Sequence, residues 1–122
     1  MPHSPQKRAT IRAPRVWFAE PTPVVVRCSD GCRKARLQLI SLTGGLLYLP
    51  QPVDLGCQVK VMFLTHSGSV LGAAEMLRPA SWSLQAFKFV KLYDDDASRL
   101  QAAIQSAQQQ NRIYQMECFR AW

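Results

Sequence analysis

Leu37 to Pro50 reads LQLISLTGGLLYLP, an apolar run with Ser41, Thr43 and the pair Gly44-Gly45 set into its middle. Glycine packs no side chain and loses more backbone entropy on folding than any other residue, so two together inside a β-favouring run must meet a local need. Three needs fit: a sharp turn, a bulge, or a backbone that something approaches closely. Ahead of the pair, Ala35, Leu37 and Leu39 alternate with Lys34, Arg36 and Gln38, the period of a half-buried strand. Behind it, GLLYLP reads as a further strand stopped by Pro50 and Pro52. The pair therefore marks the passage from one strand to the next.

The pattern extends in both directions. Upstream, Val24 to Arg27 and a strand from about Arg33 to Ser41 flank Ser29-Asp30-Gly31, and Asp-Gly between β-favouring runs signals a hairpin. Downstream come CQVKVMFLTHSG, SVLGAAEMLRP and LQAFKFVKLY, the last with Phe87 and Phe89 alternating against Lys88. Six short strands with no helix between them predict a mainly β protein, an antiparallel barrel or sandwich. The pattern changes after Tyr93. Asp94, Asp95 and Asp96 suit a helix start, and Leu100, Ala103, Ile104 and Ala107 recur at helical spacing. A C-terminal helix from about residue 96 to about Gln110 is expected, and Ile113, Tyr114, Met116, Phe119 and Trp122 offer an apolar face that would extend it. Residues 1–15 are polar and Pro-containing and read as an extended arm, leaving 16–122 as a single domain.

The 122 residues are 48% apolar, enough for one core. No apolar run approaches the ~20 residues that span a bilayer, and MPHSPQKRAT lacks the apolar centre of a secretory signal, so a cytoplasmic protein without membrane insertion is expected. Most of the net charge of +7 is concentrated at the front, where Lys7, Arg8, Arg12, Arg15, Arg27, Arg33, Lys34 and Arg36 face only Glu20 and Asp30. Such polarity suits an anionic partner, since arginine presents a fork of donors that matches phosphate oxygens. Catalytic groupings are missing: His3 and His66 stand alone in sequence, without a carboxylate or cysteine beside them. Cys28 and Cys32 flank a turn as half of a zinc site does, but the closed ligand spacing of a structural zinc module is absent, and ordinary thiols are expected. There is no Gly-rich nucleotide loop of the GxGxxG or Walker type. These features favour a binding module over an enzyme, with neither metal nor cofactor.

The order of these elements resembles the PilZ domain. That family joins an Arg-rich arm carrying RxxxR, six short strands, the signature Asp/Asn-x-Ser-x-x-Gly between the second and third strands, a late strand with Phe-x-Phe, and a closing helix. Here Arg8-Ala9-Thr10-Ile11-Arg12 supplies RxxxR, or in a second register Arg15 is the later arginine and Ile11 occupies the earlier position. Ser41-Leu42-Thr43-Gly44 matches Ser-x-x-Gly, and QAFKFVKLYDDDASRLQAAI resembles the last strand and helix start. Leu39 stands where the family has Asp or Asn.

The resemblance implies a six-stranded antiparallel barrel that serves as a bacterial receptor for the second messenger cyclic di-GMP and signals to a protein partner. It implies that Arg8, Arg12 and Arg15 hold phosphate and stack on guanine, and that Ser41, Gly44 and Gly45 line the face receiving the ligand. The alternative is a degenerate PilZ adaptor that binds no nucleotide and acts through protein contacts. A nucleic-acid-binding barrel ranks below both, because Phe87 and Phe89 fall where a core strand is expected. Two pictures of Leu39 compete: strict alternation puts it in the core with Ala35 and Leu37, whereas the motif puts it beside the ligand.

Overall fold

The computed structural model describes the backbone of residues 15–120, with side chains at 18–21 and from 110 onward outside the description. Strands β1 (Val16–Cys28), β2 (Gly31–Ser41), β3 (Gly44–Tyr48), β4 (Gln58–Thr65), β5 (Gly68–Pro79) and β6 (Leu84–Leu92) precede one helix, α1 (Asp94–Arg120). The strands close into an antiparallel barrel in the order β1-β2-β3-β6-β5-β4.

Two elements run longer than the sequence pattern predicts. β1 starts at Val16 rather than Val24, and Pro21 and Pro23 do not end it: the register against β2 slips between Trp17 and Thr22, around Pro21, and Pro23 precedes the first residue paired with β4. An irregular stretch of this kind tolerates proline, which has no ladder donor to lose. The helix starts at Asp94 and continues to Arg120, past the glutamine run.

Alternation places Val24 and Val26 of β1, Val59, Val61 and Phe63 of β4, and Ala74 and Met76 of β5 inside the barrel. Leu100 and Ile104 of α1 join the same core, with Ala103 buried and Ala107 packed against it. The helix start is fastened to β5. Asp96 Oδ1 accepts from the Leu71 amide at 2.9 Å, and Arg99 Nε donates to the Ser69 carbonyl at 2.6 Å. β6 pairs with β5 only from Gly72 onward, so these backbone groups lie beyond the reach of its ladder. The acidic cluster therefore does more than favour a helix start: one of its carboxylates satisfies a strand donor.

A second staple closes the long connection between β3 and β4. Gln85 is buried at an inward position of β6, where its Nε2 donates to the carbonyls of Val53 (2.6 Å) and Leu77 (2.9 Å) and its Oε1 accepts from the Val53 amide (2.9 Å). A buried amide is tolerated because its donors and acceptor are partnered.

Candidate functional site

A β-bulge in β2 creates the candidate site. Leu37 pairs with Leu47 and Leu39 with the adjacent Leu46, so Gln38 is an extra residue on β2. One extra residue exchanges the two faces of the strand from that point on. Ile40, which strict alternation would turn outward, enters the core with Leu37, while Leu39, itself buried at 9% exposure, falls outside the core cluster and borders a groove on the outer wall. The bulge thus turns Leu39 toward the groove side of the wall, where it is nonetheless buried.

The groove encloses about 530 Å³. Its floor follows the pairing: Leu39, Leu46 and Ala86 stand side by side across β2, β3 and β6, with Trp17 of β1 next to Leu39 beyond the groove's edge, and Ser41, Gly44 and Lys88 form the next row. Leu77 closes one side, and Arg15, immediately before β1, reaches the rim. Arg15 and Lys88 are the charged residues of the lining, both positive, with Glu75 3.9 Å from Lys88 in an exposed pair. The result is an apolar floor with cationic edges, suited to a flat ring carrying phosphate.

Of the residues singled out in the sequence, Arg15, Ser41, Gly44 and Gly45 all line this groove. Arg8 and Arg12 lie outside the described residues. The roles of the polar and glycine positions are nevertheless largely internal. Ser41 is buried; its Oγ accepts from the Thr43 amide at 3.2 Å, donates to the Gly44 carbonyl at 3.2 Å and lies 3.0 Å from Thr43 Oγ1. The β4–β5 hairpin repeats the device, with Thr65 Oγ1 accepting from the Ser67 amide at 3.1 Å and donating to the Gly68 carbonyl at 2.8 Å. A hydroxyl three residues before glycine is therefore a turn element in this chain, used twice and at two different places.

The glycine pair is in β3 and does not form the turn, which is Leu42-Thr43. A Cβ on Gly44 would collide with the Phe87 carbonyl and come within 2.9 Å of Lys88 Cα; one on Gly45 would meet the Leu39 carbonyl at 2.5 Å and the Phe87 ring at 3.0 Å. Of the three needs that a Gly pair can serve, close backbone approach is the one in force. The space left by the two missing side chains is filled by neighbouring strands.

Sequence reasoning missed Trp17, Leu46, Leu77, Ala86 and Lys88 as part of this surface. The FKF alternation at Phe87-Lys88-Phe89 carried the signal for Lys88, but the outward row across four strands depends on pairings that no local pattern states. Phe87 is buried and meets Phe89 edge to face at 5.2 Å, so these rings are core material and offer no open stacking platform. Among the described residues no three potential ligating side chains come together to hold a metal ion. Cys28, Cys32 and Cys57 are free thiols, and burial pushes the Cys28 thiol up, with Arg33 acting in the opposite direction.

Neither a family model nor a curated protein matches the sequence. Solved structures do match the fold. The complex of YcgR with c-di-GMP from Escherichia coli is 17% identical with a TM-score of 0.74, over 89% of this chain and 50% of that one. The separate PilZ domain of the same protein, also with c-di-GMP, is 16% identical with a TM-score of 0.69, over 86% of this chain and 96% of that one. The PilZ domain of CeSA from a cellulose-synthesising bacterium is 17% identical with a TM-score of 0.59, over 75% of this chain and 95% of that one. The chain thus covers nearly all of the separate YcgR domain and half of the YcgR chain in the first complex, and shares their fold.

Proposed function

Starting from the PilZ-like fold, we propose that this chain is a cytoplasmic bacterial binding module that takes cyclic di-GMP in the β1-β2-β3-β6 groove and passes the signal to a protein partner. The carrying observation is the convergence of Arg15, Ser41, Gly44 and Gly45 on one groove with an apolar floor and two cationic residues at its edge. In this reading Arg15 and Lys88 hold phosphate, Leu39, Leu46 and Ala86 receive a purine face, and Trp17 extends that floor. Arg8 and Arg12 of the arm complete the clamp. The module performs no chemistry on the nucleotide.

A second reading, the adaptor that binds no nucleotide, is favoured by Leu39. The guanine edge presents N–H donors, and an aliphatic side chain leaves them without the acceptor that Asp or Asn would offer, a loss of about 1 to 3 kcal/mol. Calorimetric titration of the whole chain with cyclic di-GMP separates the two readings. Saturable one-site binding, weakened at least about tenfold in Arg15→Ala, is expected for the receptor. Absence of heat at every concentration tried supports the adaptor.

A further inference from the structure

The wall of the barrel away from the groove carries a second surface. Val25, Met62 and Leu71 are paired directly across β1, β4 and β5, and they are 39%, 45% and 43% exposed. Leu64, two residues along β4 from Met62, is 74% exposed. Single exposed apolar side chains are ordinary, whereas large ones in register across three strands form a patch. Part of this patch is a concavity of about 640 Å³ whose lining includes Pro23, Val25, Met62, Leu64, Lys34 and Arg36.

Cations frame it. Lys34 pairs with Val25 and so stands at the β2 end of this row, Arg36 pairs with Pro23 in the row on one flank, and Arg27 and Lys60 face each other in the row on the other. Neither β2, nor β4, nor β1 from Thr22 onward contains an Asp or Glu. Among the described residues, Arg27, Lys34, Arg36 and Lys60 form no ion pair.

We propose that this wall docks a protein segment with an apolar helical face bordered by carboxylates. Neighbouring strands lie about 4.8 Å apart and a helix rises about 5.4 Å per turn, so apolar residues at i, i+4 and i+7 of a helix laid across the strands follow Val25, Met62 and Leu71. Acids on the helix flanks then meet Arg36 on one side and Arg27 and Lys60 on the other, and an acid at the helix end over β2 meets Lys34. Other occupants fit less well. A second copy would set one cationic frame against another. Single-stranded nucleic acid needs aromatic platforms, and the centre of the patch is aliphatic. A membrane surface takes protruding apolar groups, and this patch is partly concave. The inference stands apart from nucleotide binding, since it uses different residues.

The test uses the whole chain and two labelled helical peptides of about 15 residues with leucines at i, i+4 and i+7, one with glutamates beside them and one with lysines. Anisotropy should show binding of the glutamate peptide only. That binding should fall at least about tenfold in Met62→Asp and in Lys34→Glu/Lys60→Glu, whose sites are exposed and whose circular dichroism should remain that of the parent. Equal binding of the two peptides, binding of neither, or indifference to the substitutions overturns the proposal. So does cosedimentation with phosphatidylglycerol vesicles, or self-association by light scattering, that the same substitutions abolish; the first points to a lipid surface and the second to a dimer face.

Discussion

At the scale of single residues, the bulge at Gln38 gives neighbouring leucines opposite fates. Leu37 is fully buried inside the barrel, whereas Leu39, buried at 9% exposure, lies on the groove side of the wall. Leu37→Asn buries an amide without partners and should cost several kcal/mol in chemical denaturation. Leu39→Asn loses a buried leucine but places the amide where it reaches the groove, and should cost about 2 kcal/mol, less than Leu37→Asn, while tightening cyclic di-GMP binding, the gain expected when an acceptor meets a donor edge. Equal destabilisation by the two would return Leu39 to the core. Gly45 makes a different demand. Its missing Cβ is matched to the Leu39 carbonyl and the Phe87 ring, so Gly45→Ala should destabilise by about 1–3 kcal/mol even without ligand. An alanine variant of unchanged stability would show that this space is open after all.

At the scale of elements, side-chain staples hold the connections where strand pairing runs out. Gln85 is the clearest case, because a leucine there strands the Val53 amide and the carbonyls of Val53 and Leu77. Gln85→Leu should therefore cost at least about 2 kcal/mol, and Gln58→Leu, exposed on β4, should change stability by less than about 0.5 kcal/mol. Melting curves of the two variants make the comparison. Much of this scale was legible in advance. The turns at Asp30-Gly31 and Ser67-Gly68, the alternation of Val59, Val61 and Phe63, and the helical spacing of Leu100 to Ala107 are local signals, and each element lies close to where those signals place it. The first half of β1 was illegible because prolines read as breakers until the slip against β2 is known. Gln85 was half legible: a glutamine sharing a face with Phe87 announces a buried amide but not its partners.

At the scale of the whole molecule, the barrel separates two surfaces that share β2. The later part of that strand, Leu39 and Ser41, borders the groove, and its earlier part, Lys34 and Arg36, frames the apolar wall. The charge bias at the front of the sequence pointed to an anionic partner without saying that the cations divide between two places. Ser-x-x-Gly is at least partly a structural signal, since Thr65-x-x-Gly68 builds the same turn elsewhere. Whether nucleotide occupies the groove is thus a question about location as well as affinity. The most direct measurement is the amide spectrum of the isotope-labelled chain titrated with cyclic di-GMP. Nucleotide bound in the groove gives saturable shifts at Leu39, Gly44, Gly45, Leu46 and Lys88 and leaves Val25, Met62 and Leu71 unmoved. Shifts confined to the wall around Met62, or none at saturating nucleotide, would contradict that placement.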